Sequence, residues 1–143
     1  MIDDKALRFL EANHAAAMIT LRPDGTPHAV RVAVGLLDGR LLSSGTQGRL
    51  RTKFLRRDPR CTLFVFENSG PLALTLETTV RLVEGPEVPE VSLRYFRSLQ
   101  PDAKPGTVVW FGQERGEDEF RRMMVEEGRL LYEFDVTRTY GLF

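Results

Sequence analysis

Two hydrophobic rhythms run along this chain, and their order predicts a sheet of several strands interrupted by a few helices. Leu7 and Leu10 recur at helical spacing behind Asp3 and Asp4, either of which can cap, and Asn13 suits a helix end. That pattern predicts a helix over residues 3–13. Residues 15–21 and 26–36 then read as strands separated by Arg22-Pro23-Asp24-Gly25, where proline presets a turn angle and glycine supplies positive φ. A second turn at Leu37-Asp38-Gly39 leads into a strand over residues 40–44, so three antiparallel strands in succession predict a meander.

A short helix follows, stopped at Asp58-Pro59 because proline disfavours helix in the residue before it. Residues 60–67 return to strand with both faces largely apolar, the mark of a central position. After the turn Asn68-Ser69-Gly70-Pro71, residues 72–84 alternate Leu72, Leu74 and Leu76 before Thr78-Thr79-Val80, a strand long enough for a barrel wall. Residues 87–100 carry Val91, Tyr95 and Leu99 at helical spacing, and residues 117–127 form a helix ending at Gly128. A last strand spans residues 130–137. Strands joined by short turns, with helices added rather than alternating, predict a mainly β, antiparallel barrel in one domain spanning residues 1–143.

Composition narrows the function classes. At 143 residues the chain buries one core, and 42% hydrophobic with 28% charged residues is ordinary for a globular protein. No apolar run reaches the roughly 18 residues that span a bilayer, and the acidic start lacks the basic region of a signal peptide, so the expectation is a cytoplasmic protein without membrane contact. The lone Cys61 sits in an apolar run and reads as a buried structural thiol.

Charge changes the picture locally. Formal net charge is zero, yet six of the twenty Lys and Arg fall within twelve residues: Arg49, Arg51, Lys53, Arg56, Arg57 and Arg60. The small-residue turn Ser43-Ser44-Gly45-Thr46-Gln47-Gly48 precedes them. Free amides at a helix start carry partial positive charge and small residues allow close approach, so turn and cations together predict a phosphate-binding corner. Within the helix, Leu50 and Phe54 are expected to anchor it, with the cations projecting outward together.

On the strand around residue 30, Arg31 sits between Ala29 and Ala33 on one face, leaving two readings open: a pocket wall contacting an anion, or a solvated surface. His14 and His28 are far apart with no third ligand type at metal spacing, so no metal is expected. Neither a Walker loop, a dinucleotide fingerprint nor a nucleophile elbow is present, and catalytic residues stay unassigned. Trp110, in the run Val108-Val109-Trp110-Phe111, reads as core or dimer interface. The acids Glu114, Glu117, Asp118 and Glu119 read as a solvated helix charge set. Aromatics are not interleaved with the basic helix, which argues against nucleic acid as a partner.

The order of the RPDGTPH hairpin, LDGRLLSSGTQGR, FLRRDPR, an apolar strand and the later VRLVEG strand resembles the pyridoxamine 5′-phosphate oxidase-like split β-barrel proteins over roughly residues 5–140. More narrowly, it is similar to their branch of deazaflavin (coenzyme F420)-dependent oxidoreductases. The resemblance implies an FMN-binding-like split barrel and a homodimer whose two cofactor clefts lie at the subunit interface. It also implies a cofactor phosphate against the turn and basic helix, with Arg51 and Lys53 on the family's cationic positions. Leu50 stands where many flavin-binding relatives have an arginine, and Gly45 where threonine is frequent.

The implied cofactor-binding set is Arg31, Ser43, Ser44, Thr46, Arg49, Arg51 and Lys53. The implied activity is hydride transfer from reduced coenzyme F420 to an unsaturated small-molecule acceptor. FMN in the same cleft is the nearest alternative, and a flavin- or F420-binding protein without turnover is a rival from another class.

Overall fold

The computed structural model describes residues 2–143. In chain order these form α1 (Asp4–Ala12), β1 (Ala15–Leu21), β2 (Pro27–Ala33), β3 (Gly35–Leu37), β4 (Arg40–Thr46) and α2 (Leu50–Arg57). They continue as β5 (Arg60–Phe66), β6 (Ala73–Val83), α3 (Val88–Ser98), β7 (Thr107–Trp110), β8 (Gln113–Gly116), α4 (Glu117–Glu126) and β9 (Arg129–Leu142). Asp3 caps α1 by accepting from the Ala6 amide at 2.8 Å, and Gly128 follows α4 with φ +62°.

Seven strands make one antiparallel sheet in the order β2-β1-β5-β6-β9-β4-β3, and β7 pairs with β8 separately. The predicted central strand is β5, between β1 and β6, and the long wall is β6, whose partner β9 runs well past the expected residue 137. Cys61, Leu63 and Val65 of β5 and Leu74 and Leu76 of β6 point inward and are buried, each large apolar side chain contributing about 1.5–3 kcal/mol of transfer free energy. This is the mainly β, antiparallel split barrel with added helices that the strand pattern predicts.

The meander does not form. The run over residues 26–36 breaks at Val34, and its two parts, β2 and β3, lie at opposite edges of the sheet. Val30, Val32 and Val34 keep their alternation through the crossing, so periodicity carries no sign of it. Since β2 and β3 are consecutive in the chain, the sheet must curl until its edges meet. The Val34 amide extends the β1–β2 ladder by donating to the His14 carbonyl at 2.8 Å, and it is Ser43 Oγ of β4 that crosses the seam, donating to the Ala33 carbonyl at 2.7 Å.

The anchoring of α2 also differs from expectation. Leu50 is 55% exposed, whereas Thr52 and Leu55 face the core. A hydroxyl replaces the expected hydrocarbon because Thr52 Oγ1 donates to the Thr46 carbonyl at 2.7 Å and lies 2.6 Å from the Tyr132 hydroxyl. The helix is therefore pinned to the turn before it by hydrogen bonds as well as by Leu55. Phe54 is half-buried, edge-on to His28 at 5.3 Å.

The segment around Trp110, which pattern left without a strand, is a two-strand hairpin. With α3 and α4 it buries a second aromatic cluster of Leu93, Val108, Trp110, Phe120 and Met124. This unit sits beside the barrel seam: the Tyr95 hydroxyl of α3 donates to the same Ala33 carbonyl at 3.0 Å.

Candidate functional site: an arginine-walled cleft

The cations of the basic segment do not project outward as one set. Arg56 donates to Glu84 and Gln47, Arg57 to the carbonyls of Leu21 and Arg22, and Arg60 to Asp58. Those three are spent on the protein. Arg49, the residue before α2, and Lys53, one turn on, are exposed and make no side-chain hydrogen bond or ion pair within the described residues.

Arg51 turns inward. Its guanidinium lies over the Tyr132 ring at 5.5 Å and donates a long bond to the Ser44 carbonyl, 3.4 Å, while its Nε is buried without a partner. Burial lowers its pKa, and the neighbouring Arg49 and Arg129 lower it further, although a guanidinium keeps its proton. The Ser44 hydroxyl is buried and unpartnered as well. A buried polar atom without a partner costs about 1–3 kcal/mol, which sets Arg51 Nε and Ser44 Oγ apart from the paired polar groups around them.

Both residues line a cleft of about 370 Å³ between the barrel seam and the α3/β7–β8 unit. Arg31, Arg49, Arg51 and Arg129 contribute to its wall, and no carboxylate does. Arg129 is braced, its Nε donating to Glu127 at 2.9 Å while its guanidinium lies 4.8 Å over the Trp110 ring. Tyr95, Phe96, Trp110 and Phe111 supply the aromatic part of the same wall. The cleft thus combines cations that suit an anion with rings that suit a flat apolar group.

Of the residues expected from sequence, Arg31, Ser43, Ser44, Arg49 and Arg51 meet in this cleft. Thr46 and Lys53 do not line it: the Thr46 carbonyl holds Thr52, and Lys53 lies on the outer surface of α2. Arg31 is exposed, packs over Phe66 at 5.3 Å and reaches the cleft wall from the sheet surface. Pattern did not bring Arg129 or the aromatic wall to the site. Arg129 arrives there because it pairs in register with Thr46, a neighbour that only the sheet order reveals.

Gly45 has a local cause. A side chain there would collide with the Tyr132 phenol, so glycine lets the ring lie flat beneath Arg51. The structural readings of the remaining candidates hold at the level of contacts. The His14 ring bonds the Val34 carbonyl at 3.0 Å, and Cys61 is buried with its thiol pushed up to about 12 by burial. Glu117, Asp118 and Glu119 occupy the first turn of α4, but Glu114 does not belong to that helix set: it lies on β8, before the helix begins.

A second arginine-bearing cleft, about 440 Å³, lies against β4, β6 and β9, but there Arg40 and Arg81 both bond Glu133. Among the described residues, no group of three His, Cys, Asp or Glu is placed to hold a metal, and no helix is long and apolar enough to cross a membrane.

Fold and site together define an antiparallel split barrel with an arginine-walled cleft at its seam. The chain belongs to the pyridoxamine 5′-phosphate oxidase family, whose sequence profile matches residues 2–138. It is similar to a conserved hypothetical protein of Mycobacterium tuberculosis, 20% identical with a TM-score of 0.73, covering 99% of this chain and 84% of that one. It is also similar to a protein described as an F420 reductase, 16% identical with a TM-score of 0.71, covering 97% and 98%. A third similar structure is General Stress Protein 26 of Bacillus anthracis, 10% identical with a TM-score of 0.64, covering 94% and 88%. At these identities the likeness is one of fold.

Proposed function

We propose that this protein is an oxidoreductase that binds coenzyme F420 in the arginine-walled cleft and reduces an unsaturated organic acceptor. The observation that carries the reading is the pair of unpartnered buried groups, Arg51 Nε and Ser44 Oγ, in a cleft wall with four arginines and no carboxylate. A phosphate oxygen supplies the acceptors they lack. Arg49 in the cleft wall and Lys53 one helical turn on along the outer surface of α2, both unpaired among the described residues, suit the acidic tail that distinguishes F420 from FMN.

When bound, the reduced deazaflavin supplies the hydride. Arg51 and Ser44 fix the phosphate, Ser43 and Tyr95 stay tied to the Ala33 carbonyl, and the aromatic wall offers a flat apolar surface to the ring. Tyr95 is no proton source: burial pushes its phenol well above the ordinary range and its proton is already engaged. With no carboxylate or histidine in the wall, the proton that accompanies hydride comes from solvent.

A homodimer belongs to the same proposal. Arg31, Ala17, Phe64, Thr75 and Tyr140 lie in register across five strands on the outer face of the sheet, and the next row is Ala33, Ala15, Phe66, Ala73 and Leu142. Phe64, Tyr140 and Leu142 are exposed there, and Arg31 joins this face to the cleft. A second copy covering the face would bring its own residues to the site. Light scattering should give twice the 16.3 kDa chain mass, and Phe64→Glu should return the single-chain mass.

The decisive experiment titrates cofactor-free protein with oxidised F420 and, in parallel, FMN, following cofactor fluorescence. Preference for F420, lost in Arg51→Ala and weakened in Lys53→Ala, supports the reading; preference for FMN moves the protein to flavin chemistry in the same cleft. Binding with no reduction of any acceptor makes it a carrier or sensor. Binding of neither overturns the cofactor assignment.

A further inference from the structure

Phe111 is out of place by every local rule. It and Gly112 are the two loop residues of the β7–β8 hairpin, with φ of +48° and +76°, the signature of a type I′ turn. Asparagine, aspartate or glycine normally fills the first of these positions, because a bulky side chain is disfavoured at positive φ. The side chain is also 79% exposed, the highest among the chain's exposed large hydrophobics. Neither backbone preference nor burial accounts for a phenylalanine here. Its ring instead stands edge-on to Trp110 at 5.0 Å and forms part of the wall of the arginine cleft.

The rest of that wall is committed elsewhere. Tyr95 and Trp110 are buried, Trp110 lies under Arg129, and Phe96 packs edge-on against Tyr95, Trp110 and Phe120. Phe111 is the aromatic of this wall with a largely open face. We propose that Phe111 is a specificity-determining residue: held at the cleft mouth in a disfavoured backbone conformation, it stacks on the flat ring of an anion whose charged end is held by Arg51 and Ser44. The ligand class is a ring-bearing phosphate, and the ring, not the phosphate, is what Phe111 selects. This rests on the anion-cleft reading above. Strain retained at a binding position exchanges stability for recognition.

Titration calorimetry on the full chain with inorganic phosphate and with 1-naphthyl phosphate separates the two claims. Wild type should bind the naphthyl ester about tenfold more tightly, the order expected of one aromatic stack. Phe111→Asn creates the preferred Asn-Gly turn, so its thermal midpoint should rise by roughly 2–4 °C. Its affinity for inorganic phosphate should be unchanged while the tenfold advantage of the ring is lost. Phe111→Tyr should retain that advantage.

A ring advantage that survives Phe111→Asn overturns the role of Phe111 and leaves the anion cleft standing. Failure of wild type to bind either phosphate more tightly than Arg51→Ala overturns the anion cleft, and this inference with it. A fall in the midpoint of Phe111→Asn, or a change in its oligomeric mass, identifies Phe111 as a packing or intersubunit residue and also overturns the proposal.

Discussion

The seam cleft and the cleft on β4, β6 and β9 each carry more than one arginine, and they are opposites. On β4, β6 and β9, Arg40 and Arg81 converge on one carboxylate, and the hydrogen bond to Glu133 raises the pKa of Arg40. At the seam, burial and neighbouring arginines lower the pKa of Arg51, and its Nε has no partner at all. The first arrangement is finished within the chain; the second is completed only by something from outside. Counting cations along the sequence cannot tell these apart, because the distinction lies in where the carboxylates are.

The sharpest way to break this comparison is Arg51→Ala. Affinity for a phosphate-bearing ligand should fall by about 3 kcal/mol, more than a hundredfold in Kd, when measured by calorimetry. Denaturant melts should show stability unchanged or raised by up to about 1 kcal/mol, since a desolvated and repelled charge has been removed. A large loss of stability would mean that Arg51 is structural, like Arg40.

Glu133→Gln is the converse. It leaves Arg40 half-buried without its charge partner and should cost about 1–2 kcal/mol in urea unfolding, discounted because the Arg81 side chain is 63% exposed. Phosphate affinity at the seam should not change.

The pH dependence sharpens the contrast further. Burial opposes the charge on Glu133, but hydrogen bonds from Arg40 and Arg81 outweigh it, so its pKa lies below the ordinary value. Asp58 is held at about 2 by its hydrogen bonds with Arg60. A carboxylate with a lowered folded pKa contributes fully above the ordinary carboxylate range and loses that contribution as pH falls through its folded value. The stability gap between wild type and Glu133→Gln should therefore persist from neutral pH down to the ordinary carboxylate range and narrow as pH falls below it. Arg51→Ala should show the same acid dependence as wild type, because Arg51 pairs with no carboxylate.

The smallest expected effect is a control. Cys61 lies in the barrel core with its thiol raised to about 12 and should resist alkylation in the native state in wild type and both variants. Rapid labelling in Arg51→Ala alone would reduce its binding defect to a folding defect.

Much of the scaffold could be read in advance from particular residues. Pro23 and Gly25 marked the first hairpin, the two apolar faces of residues 60–66 marked the central strand, and Pro59 ended the basic helix. What could not be read depends on partners distant in sequence. The crossing at Val34 leaves the alternation intact, because it is imposed by sheet closure. Thr52 faces inward for the sake of Tyr132, eighty residues away. The β7–β8 turn was hidden because Phe111 stands where an asparagine would have announced it. The basic half of the site was visible as a cluster of charge, whereas the aromatic half belongs to elements that fold back onto it.

The seam itself has one more consequence. A single carbonyl, that of Ala33, receives hydroxyls from both Ser43 on the opposite sheet edge and Tyr95 on α3, and all three residues border the arginine cleft. The place where the barrel is least continuous is thus the wall of its binding site. Local opening of the barrel and release of a ligand become one event, so occupancy should slow amide exchange at Val34, which closes the β1–β2 ladder next to that carbonyl, more than in the β5–β6 ladder.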